Sequence, residues 1–170
     1  MEPARRKLST TRGIWLKPIG KVRNRFTRRS LKAGRHFGKG EISELVLHRR
    51  WAEAADGVEG FSHLVVLFWA HLITPEGRRL TKVHPRRRQD LPLTGVFATR
   101  SPARPNPIGV TMVRLLERKG NVLIVEGMDA LNGSPIIDIK PYIPQPDEVA
   151  GAMVPDWVTK HGQEPEDPQS

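Results

Sequence analysis

The chain has 170 residues, 28 Lys or Arg against 18 Asp or Glu, a formal charge of +10, 15 glycines, 15 prolines and no cysteine. That length suits one domain with its own core, and the lack of cysteine excludes disulfides, thiolate nucleophiles and zinc–thiolate sites. The longest apolar run, residues 64–72, is interrupted by His71 and falls short of the ~20 residues of a membrane span; with no signal-type apolar segment after the basic N-terminus, a soluble cytoplasmic protein is expected.

In chain order, residues 1–12 are polar and basic without apolar periodicity, which predicts a disordered arm. GIWLKPIGKV (13–22) is broken by Pro18 and Gly20 and reads as an edge or bent strand. Residues 23–40 form a basic loop whose aromatic residues are Phe26 and Phe37, and ISELVL (42–47) is a predicted strand. WAEAADGVEGF (51–61) predicts a short helix stopped by Gly57 and Gly60. HLVVLFWA (63–70) is continuously apolar at strand length, so a strand buried on both faces is expected. A long basic loop covers 74–92. Further strands are predicted at GVFA (95–98), GVTMVRLLER (109–118) and NVLIVEGM (121–128), with a hairpin turn at Lys119 and Gly120, and at the alternating IIDIKPYI (136–143). Beyond Pro144 the chain reads as an acidic peripheral tail docked by Trp157.

Six or seven short strands and at most two short helices predict a mainly β, single barrel-like domain. The expected division is an arm at 1–12, the barrel domain at 13–145 and a tail at 146–170. No GxGxxG follows a strand and no P-loop lysine is present, so the Rossmann cradle is missing.

Charge is clustered. Residues 1–50 hold 15 Lys or Arg against Glu2, Glu41 and Glu44, and Arg78, Arg79, Lys82, Arg86, Arg87 and Arg88 form a second block. The tail from Gln145 onward reverses sign. Clustered cations are the footprint of a polyphosphate partner such as RNA; a solvated basic surface is the plain alternative.

Three stretches carry candidate chemistry. In GVFATRSPARPNPIG (95–109), Pro102, Pro105 and Pro107 fix their own φ and extend the residues before them, which presets the loop's shape. Arg100 and Arg104 offer planar forks for carboxylate or phosphate, Asn106 is suited to clamping backbone, and Gly109 permits close approach. The alternative is a rigid surface loop whose arginines pair with local carbonyls. His63 and His71 share a strand face, but eight residues of strand separate them by ~26 Å, which excludes a metal pair. His63 reads as a buried histidine satisfied by backbone, and His71, at the run's end, is better placed for a ligand. In MDALNGSPIIDIKPY (128–142), 132–135 form a turn by composition whose backbone amides are candidates for gripping a small polar ligand. Asp138 and Lys140 share a strand face, as a local ion pair or as part of a site. No catalytic triad, carboxylate pair or metal cluster is apparent.

Taken together, FSHLVVLFWAH, GVFATRSPARPNPIG and DALNGSPIIDIKPYIP resemble, in order and spacing, the hallmark motifs of the TsaA-like (TrmO) family over roughly residues 14–145. The resemblance implies a dimeric β-barrel methyltransferase that uses S-adenosylmethionine and methylates N6 of the threonylcarbamoyl-modified adenosine at position 37 of tRNA. By motif, His71, Leu72, Arg100, Asp129, Ala130, Leu131, Asn132 and Gly133 are the implied cofactor-binding residues, with no residue assigned as catalytic. Arg78, Arg79, Lys82, Arg86, Arg87, Arg88, Arg104, Asn106, Lys140 and Tyr142 are the candidate RNA contacts. The loop at 23–40 departs from the family's proline–glutamine pattern. That departure keeps open transfer to another RNA or a small molecule, or a non-catalytic cofactor-binding RNA-binding protein. The family's longer members carry a C-terminal domain for tRNA handling, a role the basic arm and loop are expected to fill here.

Overall fold

The structure, a computed structural model, describes residues 14–29 and 40–159. The expected arm at 1–12, part of the 23–40 loop with Phe37, and the end of the acidic tail lie outside the described residues. The strands are β1 (Gly20–Arg23), β2 (Ile42–Leu47), β3 (His63–Trp69), β4 (Lys82–Val83), β5 (Thr94–Gly95), β6 (Ile108–Lys119), β7 (Val122–Glu126) and β8 (Pro135–Pro141). Six of them, all antiparallel, close a barrel in the order β1-β2-β7-β6-β3-β8. Outside the barrel, β4 pairs with β5 as a small ribbon. Full closure leaves no free sheet edge among the six barrel strands. The mainly β, barrel-like expectation is borne out.

The barrel interior follows from alternation. Leu45 and Leu47, Leu64, Val66 and Phe68, and Leu123 and Val125 all point inward, joined by Val22, Val113 and Ile136. Burying each such side chain contributes roughly 1.5–3 kcal/mol. Two register shifts, at Leu67/Phe68 of β3 against β8 and at Leu115/Glu117 of β6 against β7, bend the sheet toward closure. The β6–β7 hairpin turns through Gly120 at φ 60°, within a step of the predicted turn. Gly109 lies against the Phe68 ring, where a Cβ would come within 2.2 Å of a ring carbon. The close approach expected of this glycine is therefore to a core aromatic.

Four expectations need correction. β3 is not buried on both faces: Leu64, Val66 and Phe68 face the interior, whereas Val65, Leu67 and Trp69 are only half-buried. The outer face is apolar partly because Trp69 lies under the Arg78 guanidinium, 5.4 Å from ring centroid to Cζ. The 51–61 helix is instead a series of 3-10 turns, Arg49–Trp51, Glu53–Ala55 and Val58–Gly60. Arg118 of β6 holds them, donating to Ala52 O and Ala55 O and pairing with Asp56 and Glu59. GVFA is not a strand, because only Thr94–Gly95 pairs before Val96–Ala98 coils into a 3-10 turn that leaves Phe97 82% exposed. In the first segment regular pairing starts at Gly20, and Ile14 and Trp15 stand in solvent.

Among the described residues, α1 (Pro75–Arg78), α2 (Pro144–Asp147) and α3 (Asp156–Thr159) are single-turn helices at the periphery. No helix among the described residues is long and apolar enough to cross a membrane.

Candidate functional site

The loop between β5 and β6 is locked by its own polar groups. Thr99 Oγ1 donates to Val96 O (2.9 Å) and accepts from the Ser101 amide (3.2 Å), and Ser101 Oγ accepts from the Ala103 amide (3.3 Å). Arg104 supplies the main clamp: Nε donates to Ser101 O (2.7 Å), and Nη2 donates to Val96 O (3.1 Å) and to Thr99 O. Pro107 is buried, and its carbonyl accepts from the Ala70 amide (2.8 Å), tying the loop to the end of β3. The clamping role expected of Asn106 thus falls to Arg104, and the Asn106 side chain is exposed. Arg104, a candidate RNA contact, has most of its fork committed to local carbonyls. Arg100 differs: it is exposed and makes no hydrogen bond or ion pair with the described residues. A fixed loop presenting a free guanidinium is preorganised for a carboxylate or phosphate.

Arg100 overlooks a groove of about 1110 Å³ between the β4–β5 ribbon, the locked loop and α3. Lys82, Arg86 and Arg87 line it, whereas Arg78, Arg79 and Arg88 do not. Arg88 is paired with Asp90, and the Arg78 Nε is buried without a partner among the described residues.

The second cluster sits at one end of the barrel. His71 Nδ1 lies 3.2 Å from the buried Ser134 Oγ, and desolvation holds the imidazole below its ordinary value near 6.5. His71 is therefore neutral at pH 7. Since its folded pKa is depressed, the stability it contributes is present above about pH 6.5. That contribution is lost as pH falls through the lowered folded value. Chemical denaturation at pH 7 and pH 5 should show a smaller acid-induced loss in His71→Gln than in the unsubstituted protein; equal losses would contradict this account.

The DALNGSP segment is pinned to β1 and the chain just after it. The amides of Asn132, Gly133 and Ser134 donate to Phe26 O (2.7 Å), Val22 O (2.8 Å) and Leu131 O (3.0 Å). Asn24, in that same stretch, donates through Nδ2 to Ala130 O and Ser43 Oγ, both at 3.0 Å. The amides expected to grip a ligand at 132–134 are thus already engaged. Those of Ala130 and Leu131 donate to no described acceptor. Asp129 accepts from Thr111 Oγ1.

The structure does not gather all the implied cofactor residues into one cavity. His71 and Asp129 to Gly133 sit at the barrel end, Arg100 sits in the groove, and the turn after β3 joins them, since Ile73 lines the groove two residues beyond His71. Lys140 is paired with Asp138 at 2.7 Å, which raises its pKa, and neither Lys140 nor Tyr142 reaches the groove. His63 is exposed, with Ser62 Oγ 2.9 Å from Nδ1, so the buried-histidine reading fails because it sits where β3 enters the barrel. No group of three or more metal-ligating side chains forms among the described residues. Sequence reasoning missed the groove's apolar lining, with Phe97 hidden inside an assumed strand; a lone aromatic amid basic and proline-rich residues was the available signal.

A small antiparallel barrel with a preset arginine loop at one end defines the structural class. Solved structures share the barrel fold: that of TrmO, with a TM-score of 0.64 and 35% identity over 84% of this chain and 63% of its own, and that of TrmO from Pseudomonas aeruginosa, with a TM-score of 0.64 and 31% identity over 85% of this chain and 62% of its own. The tRNA-methyltransferase O N-terminal domain matches residues 32–148, and the chain belongs to that family. Among its relatives, a probable S-adenosyl-L-methionine-binding protein of Methanothermobacter thermautotrophicus is 46% identical over 76% of this chain and 90% of its own length. The tRNA (adenine(37)-N6)-methyltransferase of Escherichia coli is 44% identical over 62% of this chain. The chain spans 46% of that enzyme and about six-tenths of the solved TrmO structures.

Proposed function

We propose that the protein is an S-adenosylmethionine-dependent tRNA methyltransferase that methylates N6 of the threonylcarbamoyl-modified adenosine at position 37. The observation that carries this reading is Arg100, held on a locked loop with no described partner, beside a groove whose lining includes no Asp or Glu. What supports the substrate is the likeness to the E. coli enzyme and the basic charge of the chain.

The residues present fit the cofactor by their chemistry. Arg100 offers a bidentate donor fork to the amino-acid carboxylate. The Ala130 and Leu131 amides and the neutral His71 offer hydrogen bonds suited to an adenine, and Leu72 adds apolar surface. When bound, S-adenosylmethionine supplies a methyl group on a sulfonium. The chain's task is then to orient cofactor and acceptor nitrogen, since positioning supplies much of the acceleration in such displacements.

The working form is a cytoplasmic homodimer in this proposal. Outward-facing Val110 and Met112 of β6, 53% and 58% exposed, form an apolar patch of the kind that marks an interface. Incubating the chain with S-adenosylmethionine and bulk tRNA, followed by nucleoside mass spectrometry, tests the substrate. The expected product is the N6-methyl derivative of the threonylcarbamoyl nucleoside; methylation of another nucleoside alone would refute the stated target.

A further inference from the structure

The groove beside Arg100 carries more than a cofactor needs. Its volume of about 1110 Å³ exceeds the ~300–1,000 Å³ of ordinary small-ligand pockets. Part of its wall comes from Val154, Trp157 and Val158, beyond residue 148 where the family match ends.

The lining combines two chemistries. Phe97, 82% exposed, and the half-buried Trp157 provide aromatic surface, while Lys82, Arg86 and Arg87 provide cations with no Asp or Glu among the lining residues. Arg86 and Arg87 are consecutive residues at φ 52° and 61°, a left-handed conformation that arginine rarely adopts. Backbone held in such regions gathers at binding sites, where the surrounding structure fixes it for a ligand.

We propose that this groove binds unstacked bases of a single-stranded RNA segment, with Phe97 and Trp157 as stacking surfaces and Arg86, Arg87 and Lys82 facing the phosphates. The inference rests on the RNA-methyltransferase reading and names the part of the substrate the chain grips beside the cofactor. Bases within a duplex offer no free ring face, so the groove selects single strands. An acidic peptide would use the cations and leave the rings idle.

The test titrates the full chain with a short fluorescently labelled single-stranded oligoribonucleotide, and with the same strand annealed to its complement, across a range of salt. The single strand should bind more tightly. Phe97→Ala and Trp157→Ala should each weaken it by roughly five- to hundredfold, leaving the salt slope and the affinity for S-adenosylmethionine unchanged. Phe97→Tyr should retain binding. The double variant Arg86→Gln, Arg87→Gln should lower the logarithmic salt slope by about 0.7 for each phosphate that is no longer neutralised. Aromatic variants that bind the strand as the unsubstituted protein does, or that lose S-adenosylmethionine affinity instead, would overturn the assignment. Because binding is read without turnover, a chain that grips the strand this way yet methylates no RNA would uphold the groove and refute the transferase.

Discussion

Gly20→Ala is expected to destabilise the protein by about 3 kcal/mol, at the upper end of overpacking costs. Gly20 opens β1 and pairs with Leu47 of β2 on one side and Ile136 of β8 on the other. A Cβ there would lie 2.4 Å from Val46 O and 2.8 Å from Leu47 Cα. Both are backbone atoms, so no side-chain rotation relieves the clash, and β1 must move away from β2. That movement opens the seam between β1 and β2 and disturbs the neighbouring Val22 contacts with Gly133 and Ser134 that pin the DALNGSP segment. Gly95→Ala is the control, since no heavy atom lies within 4 Å of its Cβ position and its φ is −55°. Reduced unfolded-state entropy makes it neutral or stabilising by about 0.4–1 kcal/mol. Denaturant titration of the two variants checks the pair; equal stability would contradict the barrel-closure account.

Arg100→Ala is expected to weaken S-adenosylmethionine binding by roughly ten- to hundredfold, the worth of one charge-assisted bidentate contact, with thermal stability unchanged. Arg104→Ala should do the reverse in stability. It removes the donors to the Ser101, Thr99 and Val96 carbonyls and should cost about 1–3 kcal/mol, because the Ser101 and Thr99 carbonyls lose a donor while Val96 O keeps only those of Thr99. Two arginines four residues apart thus have separable roles, one holding the loop and one held out by it. Calorimetric cofactor titration alongside thermal unfolding distinguishes them. Loss of stability in Arg100→Ala, with cofactor affinity intact, would reverse the assignment.

Much of the barrel was legible because alternation and turn chemistry act locally. ISELVL, residues 109–118 and 121–128, and the Gly120 turn lie close to where apolar spacing and glycine place them. What sequence could not show was which carbonyls would claim which donors. Arg100 and Arg104 are equivalent as forks in a string of residues, and only the fold of 96–104 puts three carbonyls around Arg104. Likewise the amides of 132–134 are available by composition, and only β1 and the residues just after it, remote in sequence, come across to accept from two of them. The HLVVLFWA run misled because a barrel strand with a half-covered outer face is as apolar as a doubly buried one. The groove was invisible for a different reason: its walls come from segments some 60 residues apart, and its aromatic members lie in stretches without periodicity.

The central claim is that Arg100 binds S-adenosylmethionine for methyl transfer to tRNA. The direct measurement is calorimetry of the purified chain with S-adenosylmethionine, followed by transfer of a labelled methyl group to bulk tRNA, for the unsubstituted protein and Arg100→Ala. Saturable cofactor binding and label in tRNA, both sharply reduced in Arg100→Ala, are predicted. Cofactor binding with no label entering any RNA, or labelling that Arg100→Ala leaves intact, would contradict it.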